Sequence, residues 1–203
     1  MSDPEIVTEG SGWHEQLGDR AELDVGFAAT ERTRAAAVTA LGAKLTPVAD
    51  VLGRAGVTVV HRRLWVQNEW RRDRIVGCRA GEDIALRITD LGVLEGVLSS
   101  LVSAEPAGLS GPTWVLADPG AARREAQGRA VADARDRAEG YAAALGTVLG
   151  PLVRLSETPE HHPMTFRAAV AEGGPVDVRS LGLEPEPVRV TAGCTTVWRL
   201  LVR

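Results

Sequence analysis

The sequence predicts an α+β fold, in which an antiparallel sheet built on a split βαβ (βαββαβ) unit carries helices packed on one face. Three segments have the periodicity of a helix, and the segments between them alternate apolar and polar residues. From residue 20 to residue 117 the order is strand, helix, strand, strand, helix, strand. Right-handed crossovers place both helices of such a unit on one face of the sheet. A long third helix and C-terminal strands extend the unit.

The first strand and the first helix lie side by side in the sequence. Residues 20–30 alternate apolar and polar side chains, which predicts a half-buried strand. Residues 31–55 carry apolar side chains at steps of three and four, which predicts one apolar stripe of a helix. The stripe consists of Val38, Leu41, Leu45, Val48 and Leu52. Pro47 lies inside this helix and removes a backbone donor, so we expect a kink or a fresh helix start there.

A long β-hairpin follows. Residues 57–67 and 74–89 read as two strands, and the polar stretch 68–73 joins them. Gly81 interrupts the second strand, and a glycine inside a strand is typical of a bulge. We therefore expect a hairpin with a bulge at Gly81.

Two further helices are predicted. Residues 91–103 repeat leucine at helical spacing, and Asp90 can cap this helix because its carboxylate accepts from the first free backbone N–H groups. The third helix opens at Pro119, which suits a first helical position, and ends near Leu145 because Gly146 suits a stop. Its predicted inner stripe consists of Val131, Ala134, Ala138, Tyr141 and Leu145.

The remaining strands are short except for the last. Residues 113–117 close the split βαβ unit, residues 152–155 form another short strand, and residues 188–202 form a long one. The stretch 158–187 is rich in proline, glycine and acidic residues. We predict an exposed acidic loop there rather than a linker, because the strand after it still needs a sheet to join. Residues 1–19 form an N-terminal strand or loop region.

The composition is that of an ordinary globular chain. Hydrophobic residues make up 44% and charged residues 25% of the 203 residues, which excludes collagen-like, disordered and disulfide-scaffold proteins. We expect a single domain over residues 1–203. No apolar run approaches the roughly 20 residues that span a bilayer and no export signal is evident, so we expect a cytoplasmic protein without a membrane partner. The net charge of −4 argues against nucleic acid as a partner.

The sequence contains none of the common catalytic, phosphate-binding or metal-binding motifs GxSxG, GxxxxGK[ST], HExxH and GxGxxG. Cys78 and Cys194 each lie in an apolar alternating run, which predicts buried, inert thiols. His161 and His162 lie near acidic residues, but neighbours in an extended loop point in different directions, so we predict a solvated loop rather than a metal site. We expect no catalytic residue, no cofactor and no metal.

One segment, residues 62–74, interleaves arginines with tryptophans. Its members are Arg62, Arg63, Trp65, Trp70, Arg71, Arg72 and Arg74. Proteins that bind single-stranded nucleic acid use this mixture, since arginine contacts phosphate and tryptophan stacks on bases. Because the whole chain is acidic, we favour instead a hairpin whose tryptophans pack on the sheet or on a neighbouring subunit.

Several stretches carry a resemblance to a known family. They are RIVGCRA at 74–80, IALRITDLG at 84–92, AVADARDRAE at 130–139, YAAALG at 141–146, and the flanking residues 150–157 and 187–200. The first two are similar to a long hairpin strand that runs into an Asp-Leu helix start, and the next two to an alanine-rich helix. On these residues the chain resembles the SIMPL-domain (YggE-like) family over nearly its whole length.

The resemblance implies an α+β protein without an accepted catalytic site. Bacterial members are commonly exported, some resemble ring- or barrel-like oligomers, and they are linked with stress tolerance, while an animal member associates with a kinase in signalling. This chain departs from the family in lacking an export signal and in having Cys78 where an aromatic residue is frequent. The resemblance supplies no functional residue set to carry over.

The leading hypothesis is a non-enzymatic, self-associating protein that acts as a protein-interaction or assembly module, with the stress-related role that the resemblance implies. We expect a homo-oligomer whose interface uses the arginines and tryptophans of residues 62–74; a further protein partner is not identified. Two alternatives stay open. One is an enzyme or small-ligand-binding protein whose pocket lies between the sheet and the acidic loop at 158–187, and the other is single-stranded nucleic acid binding by the hairpin.

Overall fold

The structure, a computed structural model, describes residues 4–158 and 182–201. Backbone contacts divide these residues into two compact units, each with its own antiparallel sheet. The four-stranded unit comprises residues 18–115 and 182–186, and the three-stranded unit comprises residues 4–17, 116–158 and 187–201. Because each sheet is accompanied by helix, the predicted α+β fold class is confirmed.

The order of elements in the described residues follows the predicted order. They are β1 (Glu5–Leu17), β2 (Arg20–Glu31), α1 (Arg34–Leu45), α2 (Ala49–Leu52), β3 (Val57–Arg71), β4 (Arg74–Ile88), α3 (Leu94–Ser103), β5 (Gly108–Val115), α4 (Gly120–Ala144), β6 (Val148–Thr158) and β7 (Pro187–Leu201). Short 3₁₀ turns precede α2 and α3. The predicted cap is present, because the Asp90 carboxylate accepts from the Gly92 backbone N–H at 3.0 Å.

The four-stranded unit has the predicted split βαβ topology. Its sheet order is β3-β4-β2-β5, and all neighbouring strands are antiparallel. The connections from β2 to β3 and from β4 to β5 each pass over one intervening strand, as in a split βαβ unit. Residues of α1, α2 and α3 share one buried cluster with one face of β2 and β4, so the helices cover a single face.

The core of this unit is built from bulky side chains. The largest fully buried side chains are Leu23, Val25, Phe27, Leu41, Val48, Ile84, Leu86, Ile88, Val97 and Leu101. Each such side chain contributes roughly 1.5–3 kcal/mol by leaving water. The alternation of apolar residues in β2 is therefore the signal that fixes which face of this sheet is inside.

The helix predicted over residues 31–55 is interrupted at Pro47. The α1 helix ends at Leu45, a 3₁₀ turn follows, and α2 restarts at Ala49, which confirms the expected break. Val38 was predicted in the buried stripe but is exposed, because Ala37 and Leu41, four residues apart, form the face that packs on the sheet.

By length and composition alone, the stretch Arg34–Leu52 is apolar enough to cross a membrane. In the structure it is broken into α1, the 3₁₀ turn and α2. Ala37, Leu41, Val48 and Val51 within it are buried in the core of the four-stranded unit. A membrane-spanning helix and a core helix share this composition, and here these four side chains belong to a core that includes strands β2 and β4.

The hairpin is longer than predicted, and its irregularities lie elsewhere. Residues Arg72 and Asp73 alone form the turn, with φ of 46° and 65°, the backbone of a tight two-residue hairpin turn. The bulge expected at Gly81 is wrong: Gly81 pairs in register with Trp65. The register shifts lie at Val59/His61 and at Glu69/Trp70. The glycine is needed for another reason, since a Cβ at position 81 would clash with the Trp65 indole.

The two strands predicted as short begin earlier than predicted, because ladder pairing continues where the apolar alternation fades. The strands β5 and β6 are longer than the predicted 113–117 and 152–155, whereas β7 matches the predicted 188–202 within one residue at each end. The N-terminal region 1–19 contains β1. The predicted acidic loop at 158–187 lies mostly outside the described residues.

The three-stranded unit packs α4 on a sheet of order β1-β7-β6. The buried residues of α4 are alanines spaced by four: Ala122, Ala126, Ala130, Ala134, Ala138 and Ala142. The predicted stripe is correct for two of these alanines but wrong for Tyr141 and Leu145, which are 61% and 64% exposed. The helix lies so close to the sheet that a Cβ at Gly10 or Gly12 of β1 would clash with the backbone of α4. Only small side chains fit between them, so the alanines face the sheet and the larger Tyr141 and Leu145 do not.

A buried polar network joins α4 to this sheet. The Thr8 hydroxyl donates to the Ala134 carbonyl oxygen at 2.7 Å and lies 3.0 Å from the Thr196 hydroxyl, to which the Trp198 indole N–H donates at 2.8 Å. Cys194 is buried nearby, and burial raises the pKa of its thiol. Both cysteines are buried and free, as the sequence predicted.

Candidate interaction site on the β3–β4 hairpin

The β3–β4 hairpin extends beyond the rest of its sheet. The pairing of β2 with β4 stops at Glu31 and Cys78, so in the described part of the chain residues 69–77 pair only with one another. We call residues 69–77 the arm. A two-stranded ribbon leaves backbone donors and acceptors free along both of its edges and is at best marginally stable alone in water. The arm is therefore a surface that another chain can cover.

Large apolar side chains are exposed along the arm. Trp70 is 63% exposed and lies opposite Ile75, so both side chains project from one side of the ribbon. Val76 is exposed as well. Three of the predicted interface arginines, Arg71, Arg72 and Arg74, lie at the turn beside this apolar pair. An aromatic anchor with arginines at its border has the composition that protein interfaces favour.

The other three predicted residues lie nearer the base of the hairpin, on two different faces. Arg62 is on the helix-covered face, where it forms an ion pair with the buried carboxylate of Glu82. The hydrogen bond to Glu82 raises the pKa of Arg62. A buried carboxylate needs such a partner, so the role of Arg62 is to neutralise Glu82 within the sheet. Arg63 alternates with it and lies on the opposite face of the sheet.

Trp65 is held between two neighbours on that opposite face. Its indole lies directly over Gly81, and the Arg79 guanidinium lies 5.7 Å from the ring centroid. A guanidinium at that distance is attracted to the negative face of the indole. Trp65 is half-buried in this stack, and it pairs with Gly81, whereas Trp70 pairs with Ile75 near the turn.

The open face of the four-stranded sheet carries a groove of about 590 Å³. Its floor consists of small residues from three strands: Gly26, Ala28, Ala85 and Gly108. Its border consists of Asp24, His61, Arg63, Trp65, Arg79 and Asp83. The groove is not among the sites that the sequence predicts. The pattern that could have indicated it is the run of small and polar residues at alternate positions of β2 and β4. This pattern predicts a groove only once the register of the four strands is known.

Metal ligands do not converge in the part of the chain that the structure describes: no group of three or more His, Cys, Asp or Glu side chains could hold an ion there. The pair His161 and His162, weighed as a metal site from the sequence, lies outside the described residues. The same holds for most of the acidic loop against which a ligand pocket was envisaged.

No curated protein matches this chain. The family model named SIMPL, described as a protein of unknown function (DUF541), matches residues 6–198. The match covers nearly the whole chain and spans both units, and the resemblance seen in the sequence is therefore confirmed. The chain belongs to the SIMPL family.

Proposed function

We propose that this protein is a non-enzymatic assembly module that self-associates through the arm. The observation that carries the proposal is the exposed pair Trp70 and Ile75 on a ribbon whose edges pair with no other strand in the described part of the chain. Burying a large aromatic side chain in an interface removes much apolar surface from water, and pairing of a free edge satisfies backbone groups at the same time. A single contact with a second chain could both bury the Trp70 and Ile75 side chains and pair the backbone groups at an edge of the arm.

Charge favours a second copy of this chain as the occupant. Residues 62–74 carry +3, from five arginines less Glu69 and Asp73. The whole chain carries −4, which leaves −7 on the remainder. The basic segment 62–74 of one copy is therefore attracted to the acidic remainder of the next. Such head-to-tail contact closes into a ring or continues as a filament, depending on its rotation.

Sedimentation velocity at fixed concentration tests this proposal. The wild-type protein is expected to sediment as species larger than the 21.5 kDa monomer, and Trp70→Ala is expected to shift it toward smaller species. Tyr141→Ala is the matched control, since it removes an equally exposed aromatic ring from α4. It should leave the distribution unchanged. A monomeric wild type, or equal effects of the two variants, contradicts assembly through the arm.

Single-stranded nucleic acid binding is the second candidate, because an exposed tryptophan lies beside three arginines on the arm. It requires micromolar or tighter affinity for an unstructured oligonucleotide that falls steeply with salt, since arginines that neutralise phosphates release counterions. If such binding occurs, and Trp70→Ala abolishes it without changing sedimentation, nucleic acid replaces a second copy as the partner.

A further inference from the structure

The groove on the open sheet face is not used by the assembly proposal. We propose that it binds a small zwitterion, a molecule that carries both an amine and a carboxylate. Its amine lies between Asp24 and Asp83, and its carboxylate lies at His61 and Arg63. The proposal stands independently of the arm.

Strand register arranges the groove in two parallel rows. In one row Asp24 of β2 lies opposite Ala85 of β4, which lies opposite His61 of β3. In the next row Gly26 lies opposite Asp83, which lies opposite Arg63. Neighbouring strands are about 4.8 Å apart, so about 10 Å separates the backbone of β2 from that of β3. Acidic groups thus lie toward β2 and basic groups toward β3.

The charged groups of these rows are unpaired in the described part of the chain. Asp24, Asp83 and Arg63 make no ion pair or hydrogen bond with it. The Asp83 Oδ1 atom lies over Gly26, 3.3 Å from the position that a Cβ at residue 26 would take. Gly26 and Arg63 flank β4 on opposite sides, so the Asp83 carboxylate is turned toward β2 and away from Arg63.

A neighbouring row shows that pairing is possible on this face. There, the Glu22 carboxylate accepts from Arg87 at 2.7 Å. In the groove, by contrast, the carboxylates toward β2 and the basic side chains toward β3 remain unpaired with each other. A ligand with a single charge would pair with only one of these two groups and leave the other without a partner.

The floor suits the apolar middle of such a ligand. Small residues from three strands leave a groove of about 590 Å³, within the range of small-molecule sites. The stack of Arg79 on Trp65 borders the groove. A short methylene chain can therefore lie across the strands, with its two charged ends at the two borders.

A homologous series of ω-amino acids, from glycine to 6-aminohexanoate, tests the proposal by NMR titration of the full chain. At least one member longer than glycine is expected to bind with a Kd of about 1 mM or tighter. It should bind about tenfold tighter than the alkylamine or the alkanoate of equal length, because each of these loses one set of charge-assisted hydrogen bonds. The shifted amides should be those of the groove.

Matched variants identify the site. Asp83→Asn and Arg63→Gln should each weaken binding about tenfold, because each removes one charged partner. Asp50→Asn and Arg34→Gln make the same charge changes at exposed positions of α2 and α1 and should leave affinity unchanged. Failure of every member of the series to bind at about 10 mM overturns the proposal, as does equal binding of the alkylamine. Binding that survives both groove variants overturns it too, and binding that survives Trp70→Ala separates it from assembly.

Discussion

The two units pack a helix on a sheet with opposite kinds of side chain. In the four-stranded unit, the core between helices and sheet consists of bulky side chains such as Phe27, Leu41 and Leu101. In the three-stranded unit, alanines of α4 lie directly on Gly10 and Gly12 of β1. The first arrangement gains stability from the large apolar area that leaves water, and the second from dense contact between backbones at short range.

The difference teaches what kind of substitution each unit can tolerate. A bulky core is damaged by removing atoms, because the surrounding side chains cannot collapse fully into the cavity. A close backbone contact is damaged by adding atoms, because there is no space for even one methyl group. Substitutions that shorten a side chain should therefore destabilise the four-stranded unit most. Substitutions that enlarge a side chain should destabilise the three-stranded unit most.

The largest effect is expected for Phe27→Ala in the four-stranded unit. Phe27 is 1% exposed, so its loss should lower the free energy of unfolding by about 3–5 kcal/mol. Leu145→Ala is the control, since that exposed side chain should change the value by less than about 0.5 kcal/mol. Urea unfolding measures both. Similar losses in the two variants would show that burial in this core does not set the stability.

A smaller effect of opposite origin is expected for Gly10→Ala in the three-stranded unit. The added methyl group would clash with the Ala130 carbonyl oxygen, which should cost about 1–3 kcal/mol. The control is Gly140→Ala on α4, where an added Cβ meets nothing within 4 Å. That change should stabilise the protein by about 0.5–1 kcal/mol, because alanine favours helix over glycine. If both changes act in the same direction, the close helix–sheet contact is not the controlling feature.

The same contrast explains which parts of the fold the sequence predicts. Periodicity identified the four-stranded unit because bulky residues mark its inside, as in the alternation around Phe27. It failed on α4, because alanine is weakly hydrophobic and the larger Tyr141 and Leu145 dominate the pattern while lying outside. Only the glycines of β1, facing the helix across a distant part of the chain, account for the alanine stripe.

The candidate sites divide in the same way. The Arg/Trp segment was visible in the sequence because its residues are neighbours along the chain. Its division between the arm and two faces of the sheet depends on strand alternation and on where β2 ends. The groove was not visible, because Asp24 and His61 come together only through the register of three strands.

The smallest expected effect is a change in the pH dependence of the free energy of unfolding. It concerns a carboxylate at the border of the contact between β1 and α4. The Asp133 carboxylate of α4 accepts from the Ser11 backbone N–H at 3.0 Å and from Arg137 at 3.1 Å. These two hydrogen bonds, that from Ser11 foremost, lower the pKa of Asp133 in the folded protein.

A carboxyl group whose pKa is lowered by folding stabilises the native state above its unfolded pKa, about 3.9 for aspartate, and loses that contribution as the pH falls through the folded pKa. The Asp133→Asn variant lacks the titrating group, so its free energy of unfolding should fall less than that of wild type between about pH 5 and pH 2. Asp136→Asn removes the same charge from α4 at a residue without a hydrogen bond or ion pair in the described chain, and should keep the wild-type slope. Urea midpoints at a series of pH values compare the three proteins. Parallel slopes for wild type and Asp133→Asn would mean that the contact between β1 and α4 does not depend on this carboxylate.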